Sequence, residues 1–223
     1  MTRIPAVTLA SLLTLTVAAQ AAPQVERLRG TIEAVQPGSI TFKTIDGVQE
    51  TITIAEDTRF VSVVKASLDD VKDGTFIGTA TKGEPPVALE VLLFPEAMRG
   101  TGEGHYGWDM IPDTTAGGAK VKSAMTNGTV KAEAPAPRVR SAMTNGTVAS
   151  SAGAGGERRL TVTYPDGSQT VLVPPQAPVV TFEPADRSVL QPGAKAFITA
   201  ARDGATVGAR RVAVGKDGLT PPM

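Results

Sequence analysis

Ile40-Thr-Phe-Lys-Thr-Ile-Asp-Gly-Val-Gln49 returns as Leu160-Thr-Val-Thr-Tyr-Pro-Asp-Gly-Ser-Gln169, with Thr, Asp, Gly and Gln repeated in place. Each copy alternates apolar and polar residues and then meets Asp-Gly, the signature of a β-hairpin. Parity sets the expected loop length. A three-residue Ile45–Gly47 loop puts Ile40 opposite Ile52 and keeps Phe42 and Ile54 on the same face. A two-residue Asp46-Gly47 loop puts Phe42 opposite Thr51 and splits the apolar set, because a one-residue slip turns every side chain over. The same three-residue loop is expected in the second copy, where Pro165 pre-sets the turn. It leaves Leu172 on the face of Leu160 and Val162 and turns Val171 and Val173 away.

Working outward, the duplication continues. Val71-Lys-Asp-Gly74 matches Leu190-Gln-Pro-Gly193, Phe76-Ile77 matches Phe197-Ile198, and Val87 to Phe94 matches Val207 to Val214. Val25 to Val35 is expected as a first strand, interrupted by Gly30 at a bulge or barrel corner. Ser67 is the expected N-cap of a short helical turn. Five or six short strands with one helical turn suit a small barrel of the OB type. The expected fold class is therefore all-β, with two tandem small OB-like β-barrels joined by a Gly/Pro/Ala-rich linker. Their bounds are 22–97 and 141–223, with a connecting loop and flexible linker over 98–140. A second repeat complicates the join, since Ser123-Ala-Met-Thr-Asn-Gly-Thr-Val130 recurs letter for letter at Ser141 to Val148. The nearer copy is expected to open the second barrel, because Asn145-Gly-Thr-Val148 mirrors Arg29-Gly-Thr-Ile32. The earlier copy is then surplus, in linker over 113–140.

Composition bounds the function. Met1-Thr-Arg3, an apolar Ile4 to Ala18 and small residues before Ala21 form an expected secretory signal peptide over 1–21. The expected product is an exported, soluble periplasmic protein. No later apolar run is long enough for a spanning helix, which argues against a permease role. The chain has no cysteine, so its domains hold by packing alone, and a formal net charge of +0 gives no drive for nucleic-acid binding. Acids predominate over residues 22–97 and bases predominate after them; the plainer reading is a solvated surface of uneven charge, the alternative a docking between the halves.

Rare residues gather in Phe94-Pro-Glu-Ala-Met-Arg-Gly-Thr-Gly-Glu-Gly-His-Tyr-Gly-Trp-Asp109, which holds the only histidine and the only tryptophan. His105 with Glu103 and Asp109 is the weak candidate set for a metal. One histidine and no cysteine fall short of an ordinary zinc set, so a structural hydrogen bond is the plainer reading of His105. Gly100 to Gly104 does not open a helix with a Lys-Ser/Thr ending, so it is not a nucleotide loop. Tyr106 and Trp108 are expected to wedge between the barrels, or else to line a ligand or partner surface. Arg99 is a candidate anion clamp, or a partner for Glu96 or Asp109. No Gly-x-Ser-x-Gly elbow accompanies the histidine. No catalytic residue and no cofactor are assigned.

Val64-Lys-Ala-Ser-Leu68, the run Phe94 to His105 with Trp108-Asp109, Met143-Thr-Asn-Gly-Thr-Val148 and the closing Val214 to Met223 together resemble an uncharacterised exported family of Gram-negative bacteria. The resemblance implies a small β-barrel domain of unknown function, in a family whose members are sometimes labelled metal transporter permeases. The extra Ser123 to Val130 copy and Tyr106 depart from the family pattern. The expected function is a non-enzymatic binding or scaffolding module for an envelope protein or small ligand. A metal-handling accessory role for the His105 loop and a cryptic enzyme are the alternatives.

Overall fold

The computed structural model describes residues 23–131 and 157–221. The fold is all-β, with one continuous sheet of twelve strands among the described residues. They are β1 (Gln24–Gln36), β2 (Ser39–Thr44), β3 (Gln49–Lys65), β4 (Phe76–Lys82), β5 (Val87–Leu93), β6 (Gly104–Pro112), β7 (Lys120–Lys131), β8 (Arg158–Tyr164), β9 (Gly167–Val173), β10 (Val179–Ala185), β11 (Lys195–Asp203) and β12 (Thr206–Gly215). No helix among them is long and apolar enough to cross a membrane. The expected signal peptide, and the Ser141 to Val148 copy, lie outside the described residues.

The first hairpin has the expected register. Ile40 faces Ile52, and Thr44 and Val48 close a three-residue loop through a Thr44 N–H to Val48 carbonyl bond of 2.8 Å. Gly47 supplies the positive φ of 82° that this loop requires. Ile40, Phe42, Ile52 and Ile54 are all buried in one cluster. The second hairpin corrects the expectation. Tyr164 pairs with Gly167 and Leu160 with Val171, so its loop is the two residues Pro165 and Asp166. That slip puts Val171 and Val173 inward with Leu160 and Val162, and half-exposes Leu172. The apolar faces choose the register here, as they do in the first copy.

β1, β2, β3, β12 and β11 form a closed five-stranded barrel. Antiparallel pairings run β12–β11–β1–β2–β3, and the parallel β12–β3 pairing closes the ring. Ile32, Phe42, Ile52, Ile198 and Val212 fill its interior, each 0% exposed. Its strands come from both ends of the chain, so the expected division into a barrel 22–97 and a barrel 141–223 does not describe the pairing. Strands β5, β4, β7, β8 and β9 make a five-stranded arc whose ends meet at the one parallel pair Val87↔Leu172. This arc encloses Ile77, Val91, Val130, Val162 and Val171. Here the expected first barrel supplies β4 and β5, the expected linker supplies β7, and the expected second barrel supplies β8 and β9.

A single long strand produces this exchange. β3 runs for 17 residues without a proline, so at about 3.3 Å per residue it reaches well past the barrel it starts in. In the second copy, Pro174, Pro175 and Pro178 break the matching path between β9 and β10. The far end of β3 pairs antiparallel with β10, including Val63↔Phe182. Parallel pairings flank this ladder on both sides, Phe60 with Val212 of β12 and Val179 with Val91 of β5. The ladder is the junction on which the two halves meet, and Val63, Leu92, Phe182, Phe197 and Ala213 pack there.

Residues 104–131, expected as loop and linker, are mostly strand. β6 and β7 form a hairpin, and β7 also pairs with β4 and β8. The earlier Ser123 to Val130 copy, expected to be surplus, therefore holds the place of a first barrel strand. Gly128 shows why it fits. A Cβ there meets the Thr163 carbonyl oxygen at 2.3 Å, as a Cβ on Gly30 meets the Lys43 oxygen at 2.0 Å. Both strands press backbone on backbone at a glycine that precedes a threonine, an approach no larger residue allows.

Candidate functional site

The stretch from Phe94 to Asp109 leaves β5 and divides into two parts. Its first part is a 3-10 turn at Glu96–Met98, started by Pro95, which lacks an N–H to lose. Gly100 and Gly102, at φ 83° and 58°, then fold the chain back into β6. Arg99 is pinned beside the turn. Its Nη2 donates to Glu96 Oε2 at 2.8 Å and to the Gly74 carbonyl at 2.9 Å, and its Nη1 donates to Thr129 at 3.2 Å. The Glu96 hydrogen bond raises the Arg99 pKa, and its counterpart lowers that of Glu96. Of its two expected acidic partners, Arg99 takes Glu96.

The second part, β6, is a clamp. Asp109 accepts from Arg27 Nη1 at 3.2 Å and from both terminal nitrogens of Arg29 at 3.0 Å. Those arginines belong to β1 of the closed barrel, so one carboxylate ties the β6–β7 hairpin across to it. Arg27 also lies over the Trp108 ring, 3.9 Å from its centroid, a cation–π contact. Tyr106 meets Trp108 edge-on with centroids 5.9 Å apart. Its hydroxyl donates to the Gly102 carbonyl at 3.2 Å, and partial burial raises its pKa. Lys120 of β7 pairs with Asp46 in the first hairpin loop, a further tie between hairpin and barrel. Trp108, half-buried, packs against Ala80, Leu89, Ile111 and Met125 on one side and the junction cluster on the other.

These contacts predict the effect of truncating the ring. Trp108→Ala is expected to cost about 2–3 kcal/mol, below the roughly 3–5 kcal/mol of a fully buried aromatic, because the ring is half-exposed. Urea denaturation measures it. A loss under about 0.5 kcal/mol, ordinary for a surface substitution, would move Trp108 from the clamp to a free surface.

His105 Nδ1 lies 2.9 Å from the Thr126 hydroxyl, and its ring stacks on Tyr164 with centroids 6.3 Å apart. The three candidate ligands do not converge. Among the described residues, no group of three or more His, Cys, Asp and Glu side chains is placed to hold a metal ion. Asp109 is spent on its two arginines, His105 faces a hydroxyl, and Glu103 is exposed.

What the structure adds is a groove. An open cavity of about 710 Å³ lies over the β3–β10 junction. Phe60, Val61 and Phe182 belong to its apolar lining, and Pro95, Ala97 and Met98 of the 3-10 turn supply one wall. β3 bulges out at 55–58 to shape one end, where the Thr58 hydroxyl donates to the Ala209 carbonyl at 2.9 Å. Arg59, Arg187 and Arg211, with Glu56, Glu183 and Asp186, supply its charges. Arg99, Glu103, His105, Tyr106, Trp108 and Asp109, singled out from the sequence, do not line it, although Pro95, Ala97 and Met98 come from the same stretch. Comparison with protein-family models, with curated proteins and with solved structures yields no match to this chain.

Proposed function

We propose that the chain is an exported periplasmic protein, and a non-enzymatic binding module whose working surface is the groove over the β3–β10 junction. The observation that carries this reading is the cavity itself. Its size falls in the range of small-molecule sites, its lining is largely apolar with a few charged groups, and it sits where two structural units meet. The clamp residues support the same reading from the other side. Asp109 and Trp108 hold the β6–β7 hairpin against the barrel and the junction cluster, and Arg99 holds the 3-10 turn that supplies one groove wall. That fixes the groove walls in advance, and a preformed site loses less entropy on binding.

Nile red, a neutral apolar dye, tests the reading. Its fluorescence is expected to rise on binding near one dye per chain, and to do so at least tenfold more weakly with Ala97→Trp. Ala97 is exposed at the groove wall, so the indole fills space without disturbing the core. Equal dye binding by wild type and variant, or none by either, contradicts the groove as the working surface.

A further inference from the structure

Two arginines face each other at one end of the groove. Arg59 of β3 and Arg211 of β12 are direct register partners in the parallel ladder. Partners in register point to the same face of a sheet, on strands about 4.8 Å apart. Like charges so placed repel. The structure offers them no internal relief. Among the described residues, neither forms an ion pair or a side-chain hydrogen bond. Arg211 is half-buried, and that burial lowers its pKa, with the Arg59 charge adding to the effect.

The neighbouring acids do not answer them. Glu183 is held by Lys216 at 3.1 Å. Asp186 caps the short Arg187–Val189 turn through the Ser188 N–H at 2.8 Å, and the Ser188 side chain first, then its N–H, lower the Asp186 pKa. Glu56 and Asp57 are exposed on the β3 bulge, and Arg210 and Arg187 add further positive charge nearby. The arginines of β1 and β11 are paired with acids. Arg202 has both Glu26 and Glu50, and Arg27 and Arg29 share Asp109. The Arg59–Arg211 pair sets two like charges side by side next to an apolar floor.

We propose that the groove binds a small amphipathic anion, its apolar body over Phe60, Phe182 and Met98 and its anionic head between Arg59 and Arg211. This rests on the groove being the working surface and adds the chemistry of what fills it. Two guanidiniums on neighbouring strands of one face can both donate to a carboxylate, phosphate or sulfonate head, which charge-assisted hydrogen bonds favour. A bound head also removes the repulsion between them.

Calorimetric titration of the full chain with dodecanoate, dodecanol and dodecyltrimethylammonium, all below micelle formation, separates the two ideas. Dodecanoate is expected to bind at least tenfold more tightly than dodecanol, and the cation least. Arg59→Gln, at an exposed position, and Arg211→Gln are each expected to weaken dodecanoate about tenfold and leave dodecanol unchanged. Arg211→Gln is also expected to raise the ligand-free Tm at low salt, because one of two repelling charges is gone. Equal binding of dodecanoate and dodecanol, or dodecanoate binding unaltered in both variants, overturns the anionic head while Nile red binding keeps the groove. Failure of every amphiphile together with Nile red removes the groove itself. Self-association in sedimentation that Arg211→Gln abolishes, without dodecanoate binding, assigns the face to a second copy and overturns the proposal.

Discussion

Glu90→Gln is expected to remove most of the pH dependence of stability between pH 5 and pH 8. Glu90 sits on β5 and is 1% exposed, and neither carboxylate oxygen has a hydrogen-bond partner among the described residues. Burial pushes its pKa up to about 8 from 4.5, against a smaller opposing pull from the Arg29 charge. The folded state therefore holds a proton that the unfolded chain releases. Its contribution is most favourable below pH 4.5, declines as pH rises, and levels off above about pH 8. At about 1.4 kcal/mol per pH unit, the decline amounts to about 5 kcal/mol. An amide in place of the carboxyl group carries no charge at any of these pH values. The variant therefore loses this slope and is the more stable protein at pH 8. Glu90→Met, apolar and of similar length, gains further because no polar group is left unpaired. Denaturant midpoints at pH 5 and pH 8 give the answer. Equal wild-type stability at both contradicts a protonated Glu90.

Asp109→Ala is expected to lose about 2–4 kcal/mol. Its partner Arg29 has a side chain only 10% exposed, while Asp109 is 29% exposed. Removing one member of a buried pair leaves the other charge uncompensated, at about 3–5 kcal/mol, and the partial exposure of Asp109 reduces that. The same substitution frees Arg27 from the face of Trp108, so it opens the clamp at two points. Asp109→Asn keeps the shape and loses the charge, and is expected to recover less than half of the loss. Urea titrations of the three proteins at one pH measure this. A loss of about 0.5 kcal/mol or less, typical of an exposed pair, contradicts the clamp.

How far the sequence spoke depends on the residue. Ile40, Phe42, Ile52 and Ile54 share one face once the loop has three residues, so their hairpin could be read correctly from alternation alone. Val171, Leu172 and Val173 are apolar on both parities. There the turn chemistry pointed to three residues and the buried face demanded two. The two Ser-Ala-Met-Thr-Asn-Gly-Thr-Val copies have the same letters, so no local rule can choose between them. The place of the earlier copy is set by what β7 touches, namely β4, β6 and β8. The exchange of strands has the same origin, since pairing partners depend on how far β3 extends, and alternation carries no information about that.

The stretch from Phe94 to Asp109 was legible as important and not as what it does. Clustered aromatic and charged residues mark it, and the structure uses Trp108 and Asp109 to join two units and Arg99 and His105 to fasten the stretch within one. Arg59 and Arg211 carried no signal, because an arginine in a half-exposed strand is ordinary. Only the β12–β3 register makes them neighbours, across most of the chain. A search for like charges at aligned positions of the two expected barrels would not have found them, since the pairing crosses between the halves.

The groove exists because β12 and β10 both lie beside β3, which requires the ends of the chain to close one barrel. Cysteine cross-linking tests that most directly, on a chain with no native cysteine. Val25 of β1 and Ala201 of β11 are register partners, and Val25 is 62% exposed. Antiparallel partners lie about 4.5–5.5 Å apart at Cα, within the span of a disulfide. Val25→Cys with Ala201→Cys is expected to oxidise to an internal disulfide in the folded protein, seen by mass spectrometry as a cross-link between β1 and β11. Two free thiols after oxidation of the folded monomer would contradict the closed barrel, and with it the groove.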